Sequence, residues 1–352
     1  MRAKNEKYLI VGQGLAGTLL AYFLLKKKQD VMVIDKQLPG ASSVAAAGVM
    51  NPVTGRRMVK SWRFDELSKF AEQTYREIEN LLGGAFWYPK NILRALPTVL
   101  EENEWMRRSA FPENKGYFRE NTDLGKYTGK VYPTHGWGEI TGSARVGMPG
   151  LVQLFRRFLI GKKCFFEEVF DFEKISFEDG KVKYGALLFD KIVFCEGARL
   201  VSNPYFMYLP LVPTKGELLL VKIPGASFKK MLKNHLYIVP LEDGTYWVGA
   251  TNHFEFKDAA PSFSDKSYLK NKLGRILKIP FEVIAHKAAI RPTVSDKRPL
   301  LGQHPKHGNL FVFNGLGTKG ASMGPLFAEQ MSAFLLGEKE LDKEVDIGRF
   351  GH

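Results

Sequence analysis

Three glycines near the start of the chain have the spacing of a phosphate-binding turn. Gly12, Gly14 and Gly17 read G-x-G-x-x-G, directly after the apolar run Tyr8–Val11 and at the start of a helical pattern, Leu15–Lys28. In such a turn the first glycine permits a tight bend, the second lets the backbone approach a pyrophosphate, and the third lets the helix pack on the strand. Amide hydrogens and the positive end of the helix dipole favour phosphate at the same place. The pattern therefore predicts that a dinucleotide binds at this turn.

An acidic residue follows at a position that suits a ribose. Val31–Ile34 is a second apolar strand, and it ends at Asp35, eighteen residues after Gly17. Strand, helix and strand form a βαβ unit, in which an acid at the end of the second strand binds ribose hydroxyls. The same carboxylate would repel a 2′-phosphate, so we do not expect NADP. The unit leaves FAD and NAD as alternatives.

The segment Ser42–Trp62 changes from small residues to basic ones. It begins seven residues after Asp35 and so leaves the end of the sheet that holds the dinucleotide. Small side chains over Ala45–Gly48 would let the main chain lie close to a large flat ring. Ser42 and Ser43 could donate hydrogen bonds to phosphate oxygens. A flexible loop that leads into a helix is the alternative.

The composition has a basic excess without a visible basic patch. Of 352 residues, 51 are Lys or Arg and 37 are Asp or Glu, which gives a formal net charge of +14. Such an excess fits anionic ligands, nucleic acid or a membrane surface. Because the basic residues are scattered, with short runs such as Lys26–Lys28, we interpret the excess first as a soluble surface and second as a nucleic-acid footprint. Arg56, Arg57 and Lys60 either bind an anionic substrate or are solvated.

The cysteine content and the lack of long apolar runs indicate the cellular compartment of the protein. Cys164 and Cys195 are the two cysteines of the sequence, which predicts a reducing environment without a disulfide framework. No basic-then-apolar leader precedes Tyr8, and no apolar run reaches the length of a membrane span. We therefore expect a cytoplasmic protein.

Further elements follow from apolar periodicity and turn residues. We predict helices over Phe64–Leu82, over Pro149–Leu159 and from about Gly324. The predicted strands and hairpins comprise a hairpin with Asp179-Gly180 at its turn, buried strands Ile192–Cys195 and Leu310–Phe313, and an antiparallel sheet between about 205 and 290 that contains Leu218–Ile223, Leu236–Pro240 and Tyr246–Ala250. The region from Phe86 to Trp137 shows no long periodicity.

The order of these elements predicts an α/β fold with a discontinuous first domain. α/β pieces lie at the start, middle and end of the chain, and β-rich pieces lie between them. We expect a Rossmann-like FAD-binding domain made of residues 1–84, 141–204 and 291–352. Residues 85–140 and 205–290 are expected to form an inserted α+β substrate-binding domain with an antiparallel sheet.

Several blocks together resemble the D-amino-acid oxidase/glycine oxidase (DAO) family of FAD-dependent oxidoreductases. The blocks are YLIVGQGLAGTLLAYFLLKKKQDVMVID, SSVAAAGVMNP, FCEGA, KGELLLV, YIVPLEDGTYWVGAT, IRPTVSDKRPLLG and LFVFNGLGTKGASMGPLFAEQM, in the family's order along nearly the whole chain. The resemblance implies an FAD-dependent oxidoreductase that oxidises an amine or amino acid. Hydride would pass to flavin N5, and the resulting imine would hydrolyse in water. Dioxygen or another acceptor would then receive the electrons.

The resemblance also implies which residues bind FAD. The pyrophosphate would lie at the glycine turn, the adenosine ribose at Asp35, and the flavin beside the Ser42–Met50 loop and the Gly315–Gly320 turn. No cysteine lies near that second turn, so covalent attachment of the flavin is not expected. The implied FAD-binding residues are Gly12, Gly14, Leu15, Ala16, Gly17, Asp35, Lys36, Ser42, Ser43, Ala46, Ala47, Gly48, Met50, Gly197, Gly315, Gly317, Thr318, Lys319 and Gly320.

Three residues are implied in catalysis. Arg291 occupies the arginine of the block R-P-x-x-x-D-x-x-P, which anchors a substrate carboxylate in this family; a structural ion pair with an acid such as Asp296 is the alternative. A guanidinium fork matches a carboxylate with two hydrogen bonds. Tyr237 would line the substrate site or serve as a core or interface tyrosine. Lys319 would stabilise negative charge near the flavin or be solvated.

Two features depart from the family pattern. Glu196 in FCEGA stands where a small or apolar residue is usual, and the turn after Phe313 reads NGLGTKG rather than a His-led version. Both leave the substrate open.

Two other motifs resemble a hydrolase nucleophile and a metal-binding histidine pair, but their context does not support either role. Gly320–Gly324 matches G-x-S-x-G, but its serine lies nine residues past the predicted strand rather than on a turn directly after it, so we do not expect a hydrolase. His304 and His307 lack a completing cysteine or acid, and we expect no metal site.

The sequence therefore gives three functional hypotheses. The first is an FAD-dependent amine or amino-acid oxidoreductase. The second is an FAD-dependent oxidase of modified tRNA, similar to the oxidase domain that acts on a carboxymethylaminomethyl group; nucleic acid is possible as a partner but not favoured. The third is a redox-silent flavin-binding protein.

Overall fold

The computed structural model describes residues 6–119 and 122–351, and the strands within those ranges form two large sheets and three small ones. The first large sheet contains β1 (Lys7–Val11), β2 (Asp30–Ile34), β11 (Phe165–Phe166), β15 (Lys191–Phe194), β21 (Leu300–Gln303) and β22 (Leu310–Asn314). Their order is β11-β2-β1-β15-β22-β21. Neighbours from β11 to β22 pair in parallel, and β21 pairs antiparallel with β22. The predicted βαβ unit thus lies at the centre of a Rossmann-like sheet.

Six helices are found in the described part of the chain. Their bounds are α1 (Leu15–Lys26), α2 (Phe64–Leu82), α3 (Val99–Ser109), α4 (Met148–Gly161), α5 (Phe263–Gly274) and α6 (Gly320–Leu335). α2 has the bounds that its apolar periodicity predicts, and α4 contains the predicted Pro149–Leu159. The expected start of the last helix near Gly324 was wrong, because the helix begins four residues earlier. α3 and α5 were not predicted.

Alternate residues of β1 face two cores. Tyr8 and Ile10 pack with α1, α2, α4 and α6 on one face of the parallel sheet. Leu9 and Val11 pack in a second core on the other face. A strand buried on both faces reads as a continuous apolar run, as Tyr8–Val11 does.

α1 and α6 pack closely because α6 presents glycine to α1. A Cβ on Gly324 would lie 2.8 Å from Leu19 Cδ1, and one on Gly320 would lie 3.0 Å from Leu15 Cδ2. Glycines that the sequence presents as a turn therefore form the first helical turn and a helix–helix contact.

The second large sheet is mostly antiparallel, with eight strands. They are β7 (Ile92–Leu96), β8 (Phe118–Arg119), β9 (Gly136–Ile140), β16 (Thr214–Lys222), β17 (Met231–Asn234), β18 (Leu236–Pro240), β19 (Tyr246–Gly249) and β20 (Glu282–Arg291). Their order is β20-β16-β19-β18-β17-β7-β9-β8, and the pair β17–β7 is parallel. This arrangement confirms the predicted α/β class with a mostly antiparallel second sheet. The domain boundaries proposed above stay a prediction.

The small sheets contain the remaining strands. They are β3 (Val49–Met50), β10 (Ala144–Val146) and β6 (Trp87–Pro89); β12 (Ile175–Glu178), β13 (Lys181–Tyr184) and β14 (Leu187–Phe189); and β4 (Val53–Thr54) with β5 (Val59–Lys60). β12 and β13 form the predicted hairpin. Asp179 and Gly180 at its turn both have positive φ, 48° and 72°, as a two-residue turn of this kind requires.

Neither a membrane-spanning helix nor a metal-binding group of side chains is found within residues 6–119 and 122–351. No helix there combines the length and apolarity needed to cross a membrane. No group of three or more His, Cys, Asp or Glu side chains there could hold a metal ion.

Candidate active site

A cavity of about 930 Å³ lies between the carboxyl ends of the parallel strands and one face of the second sheet. One wall is the β1–α1 turn with Asp35 and the loop that follows it. The opposite wall is the sheet face that carries Gly216, Tyr237, Gly249 and Arg291. Ligands of open α/β sheets bind at the carboxyl ends of the strands, so this is the expected place for a cofactor.

Each of the three glycines in the β1–α1 turn lies where a side chain would meet a neighbouring atom. Gly12 has φ +97°, and a Cβ there would lie 2.6 Å from the carbonyl oxygen of Cys195. A Cβ on Gly14 would lie 3.2 Å from Ser43 Oγ, and one on Gly17 would overlap the carbonyl oxygen of Gly12. Gly12 and Gly14 line the cavity with Leu15 and Ala16, whereas Gly17 does not. Gly17 instead lets α1 pack against β1.

Asp35 lines the cavity but already has a partner. Its carboxylate pairs with the guanidinium of Arg156 on α4. Arg156 is 8% exposed, and its Nε donates to Gln13 Oε1 at 2.8 Å. Gln13 Nε2 in turn donates to Thr18 Oγ1 at 2.9 Å. Arg156 thus fixes the orientation of the carboxylate from behind.

Sequence reasoning missed Arg156. A signal existed, because Arg156 falls on the face of α4 that buries Leu151, Phe155 and Leu159. A charged residue in a buried helical face requires a partner.

The loop after Asp35 brings small residues to the cavity. Lys36, Ser42, Ser43, Ala46, Ala47 and Gly48 all line it. Ser43 Oγ accepts a hydrogen bond from the amide of Leu15 at 2.9 Å and so caps the first turn of α1. Gly48 is also required by its neighbour, since a Cβ there would overlap the carbonyl oxygen of Val146. Met50 does not line the cavity; it is 1% exposed and packs in the core beside α6.

Residues of the turn before α6 line two different cavities. Gly317, Thr318 and Gly320 line the cavity, as does Gly197 from the end of β15. Gly315 does not, because it packs against Val294 and Leu300. Lys319 lines a second cavity of about 520 Å³, which Thr318 and Tyr237 also border.

Arg291 directs its guanidinium across the sheet face. Nη1 donates to Asn252 Oδ1 at 3.0 Å and Nη2 to the carbonyl oxygen of Thr251 at 3.3 Å. The group lies above Gly216, where a Cβ would overlap it. Burial lowers the pKa of Arg291. Among the described residues no carboxylate pairs with Arg291.

The alternative ion pair with Asp296 was wrong. The carboxylate of Asp296 instead pairs with Arg349, whose Nε lies 2.9 Å from Oδ2.

Tyr237 lies on the same face, three strands from Arg291. Its phenol oxygen accepts a hydrogen bond from Asn51 Nδ2 at 3.0 Å, and burial raises the pKa of the phenol. Tyr237 borders both cavities. The structure therefore brings Arg291 and Tyr237 to opposite sides of one space.

The three basic residues of the Ser42–Trp62 segment lie in different surroundings. Lys60 Nζ pairs with Asp65 at 2.6 Å. Arg56 lines the second cavity, and Arg57 is exposed.

Comparison with known proteins decides the family. Residues 7–334 match the family described as DAO, FAD dependent oxidoreductase. The chain belongs to the DAO family. It is 24% identical to the glycine oxidase of Pseudomonas putida, over 96% of each chain. It is 22% identical to the tRNA 5-methylaminomethyl-2-thiouridine biosynthesis bifunctional protein MnmC of Marinobacter nauticus, covering 93% of this chain and 55% of that protein. The crystal structure of iminodiacetate oxidase from Chelativorans sp. BNC1 has a TM-score of 0.80 at 22% identity, over 96% of this chain and 97% of that one.

The residues of the first cavity fit the FAD on which DAO-family oxidoreductases depend. Gly12 and Gly14 line the cavity at the start of α1, and the tight turn that they permit brings the backbone close to the place of a pyrophosphate. The amino-terminal end of α1, where the helix dipole favours an anion, lies at the same place. Asp35, held by Arg156, presents carboxylate oxygens suited to ribose hydroxyls. The volume lies at the upper end of the range found for ligand sites.

Glu196, noted above as a departure from the family pattern, lines this cavity at the end of β15. Burial raises the pKa of its carboxyl from 4.5 to about 7, although a hydrogen bond from Asn203 Nδ2 at 2.6 Å partly opposes the rise. A raised carboxyl pKa means that the folded protein binds this proton more tightly than the unfolded chain. The associated stability is complete below about pH 4.5 and is lost as the pH rises through about 7.

Replacing Glu196 with glutamine is therefore expected to stabilise the protein at pH 8 by about 1–2 kcal/mol and to change little at pH 4.5. Urea denaturation at both pH values measures the difference. Glu255→Gln, at an exposed position, is the matched control and should show no pH-dependent gain. An equal effect of Glu196→Gln at both pH values would contradict the assignment.

Proposed function

We propose that the protein oxidises the carbon–nitrogen bond of a small amine or amino acid that carries a carboxylate. The observation that carries the proposal is Arg291, whose guanidinium borders the first cavity without an acidic partner among the described residues. A half-buried guanidinium held by neutral oxygens retains its full charge for a ligand, and its fork matches a carboxylate. The DAO-family match supports the reaction class.

The chain's own residues position such a substrate. Arg291 binds the carboxylate, and the missing side chain of Gly216 leaves room for the Arg291 guanidinium above the sheet. Tyr237, oriented by Asn51, closes the opposite side. Holding the reacting atoms in place in this way supplies a large part of a rate enhancement.

Bound FAD would supply the redox chemistry, by taking a hydride from the carbon next to the amine nitrogen and passing its electrons to dioxygen or another acceptor. The chain need not supply a base if the amine enters neutral. Water then hydrolyses the imine that leaves the cavity.

The cysteines support non-covalent FAD. Cys195 lies beside Gly12, at the pyrophosphate end of the cavity, and burial raises the pKa of its thiol. A protonated thiol is a poor nucleophile. Cys164 does not line the cavity.

Anaerobic titration of the FAD-loaded protein tests the proposal. Glycine, sarcosine, proline and D-amino acids are each added, and loss of the yellow flavin absorbance is followed. We expect bleaching by at least one of them. Methylamine and pyrrolidine, the matched amines without a carboxylate, should react much more slowly. Retention of colour with every amine would favour a redox-silent flavoprotein instead.

A second candidate is an oxidase of modified tRNA. The match to the MnmC protein and the four basic side chains around the second cavity favour it. Non-specific RNA binding weakens steeply with salt. A tRNA mobility-shift assay between 50 and 200 mM salt, roughly the range over which such contacts are lost, separates the two candidates. Specific retention of tRNA with flavin bleaching would support this function over the first.

A further inference from the structure

The second cavity adjoins the first along the sheet face. Its volume is about 520 Å³, and Val49, Lys233, Tyr237 and Thr318 border both cavities. A molecule held by Arg291 beside Tyr237 would therefore have its far end directed towards this space.

Three side chains form a continuous row across the sheet. Tyr237 on β18 pairs in register with Lys233 on β17, and Lys233 pairs in register with Arg94 on β7. Residues in register on neighbouring strands point to the same face, at intervals of about 4.8 Å. Lys233 Nζ lies 4.4 Å from the ring centroid of Tyr237. The row therefore leads from the first cavity into the second.

The second cavity has more positive than negative charge. Arg56, Arg94, Lys233 and Lys319 line it, against the single carboxylate of Glu101. Among the described residues none of these four cations forms an ion pair, although Lys60, close by in sequence, does. Like charges close together disfavour each other's charged form, and an anion bound among them would relieve that cost.

Arg94 is the most informative member of the cluster. It is 8% exposed, and its Nη2 donates to the carbonyl oxygen of Gly55 at 3.1 Å. Its Nε is buried and has no hydrogen-bond partner in the described structure. Burial lowers the pKa of Arg94, and burial together with Arg94 lowers the pKa of Lys233 to about 8. A buried donor without a partner costs free energy, and an anion that accepts a hydrogen bond from it would remove that cost.

We propose that the second cavity binds an anionic group, a phosphate or a carboxylate, at the end of the substrate distant from Arg291. The inference rests on the proposed function, because it assumes that the amine lies in the first cavity. The substrate class is then a doubly anionic amine: a carboxylate binds Arg291, and a second oxyanion binds Lys233 and Arg94. Carboxylate and phosphate share the oxygen geometry that a guanidinium recognises.

Binding of inorganic phosphate to the FAD-loaded protein tests the site without any turnover. Calorimetry at constant ionic strength, with chloride as the balancing anion, measures Kd. We expect binding to the unmodified protein and at least a tenfold weaker Kd in Arg94→Met and in Lys233→Met. Arg57→Gln removes an exposed charge that borders neither cavity and should leave Kd unchanged. Absence of phosphate binding, or equal Kd values in all four proteins, would overturn the proposal.

Anaerobic flavin reduction by matched N-substituted glycines then identifies the anion. N-Ethylglycine, whose N-substituent is uncharged, is the reference. Iminodiacetate carries a second carboxylate on its N-substituent, and N-(phosphonomethyl)glycine carries a phosphonate there. Longer homologues of both vary the distance between the two anionic groups. We expect the anionic members to have the higher kcat/KM, and the ratio to N-ethylglycine to fall at least tenfold in Arg94→Met and Lys233→Met. The preferred member distinguishes carboxylate from phosphate.

The two proposals fail in different ways. If no amine of the panel reduces the flavin while phosphate still binds through Arg94, the proposed function is contradicted and the anion site stands. If amines reduce the flavin but neutral and anionic members react equally in every variant, the anion site is contradicted and the proposed function stands.

Discussion

Replacing Arg291 with methionine is expected to lower kcat/KM for carboxylate-bearing amines by about 100- to 1,000-fold while FAD stays bound. Removing one partner of a hydrogen-bonded charge pair costs about 2–5 kcal/mol, and each 1.4 kcal/mol is about tenfold. Arg291 lies on β20, and its guanidinium contacts Gly216, Thr251 and Asn252 rather than a residue assigned to FAD, so FAD retention should change little. Stopped-flow flavin reduction gives kcat/KM, and absorbance of the purified protein gives FAD content.

Two further variants separate binding from architecture. Arg291→Lys keeps the charge but loses the fork, and we expect partial recovery of kcat/KM. Arg275→Met removes an exposed arginine just past α5 that borders neither cavity and should retain full activity. Equal losses of FAD and of activity in Arg291→Met would show that Arg291 supports the fold rather than the substrate.

Replacing Gly17 with alanine is expected to destabilise the protein by about 3 kcal/mol or more and to abolish FAD retention. The added methyl would overlap the carbonyl oxygen of Gly12, which belongs to the backbone and cannot rotate away. α1 would have to separate from β1, and overpacking of this kind against backbone is among the most destabilising changes. Urea denaturation and FAD content of the purified protein measure both effects.

Gly150→Ala provides the matched control. Gly150 also lies in a helix, α4, but the nearest atom to its added Cβ is Phe86 Cε1 at 3.9 Å. Because alanine is the better helix former, we expect this variant to be about 0.5–1 kcal/mol more stable. A Gly17→Ala protein as stable and as yellow as Gly150→Ala would show that the contact between Gly17 and Gly12 is not required.

The sequence predicts those parts of the fold that depend on local patterns. The β1–α1–β2 unit follows from an apolar run, three glycines and a second apolar run, and α2 from its apolar periodicity. α3 lacks such a pattern, since Trp105 is its one buried residue. The start of α6 was misplaced because Gly320 and Gly324 permit a turn as readily as a helix contact.

Site residues can be predicted where their place follows from a local sequence pattern. Their contacts with residues distant in sequence cannot be predicted in this way. Asp35 follows from its position after β2, but its partner Arg156 is 121 residues away in sequence. Arg94 and Lys233 meet through a parallel strand pair that joins two distant segments, and no local signal specifies that register.

The contact of α1 with α6 has a consequence for the order of folding and cofactor binding. The two helices whose first turns border the first cavity come from distant parts of the sequence, and Leu15 and Leu19 pack against Gly320 and Gly324. A chain folded only as far as β21 has both walls of the first cavity but lacks Gly317, Thr318 and Gly320, which also line it. We therefore expect FAD to bind stably only after α6 has packed against α1.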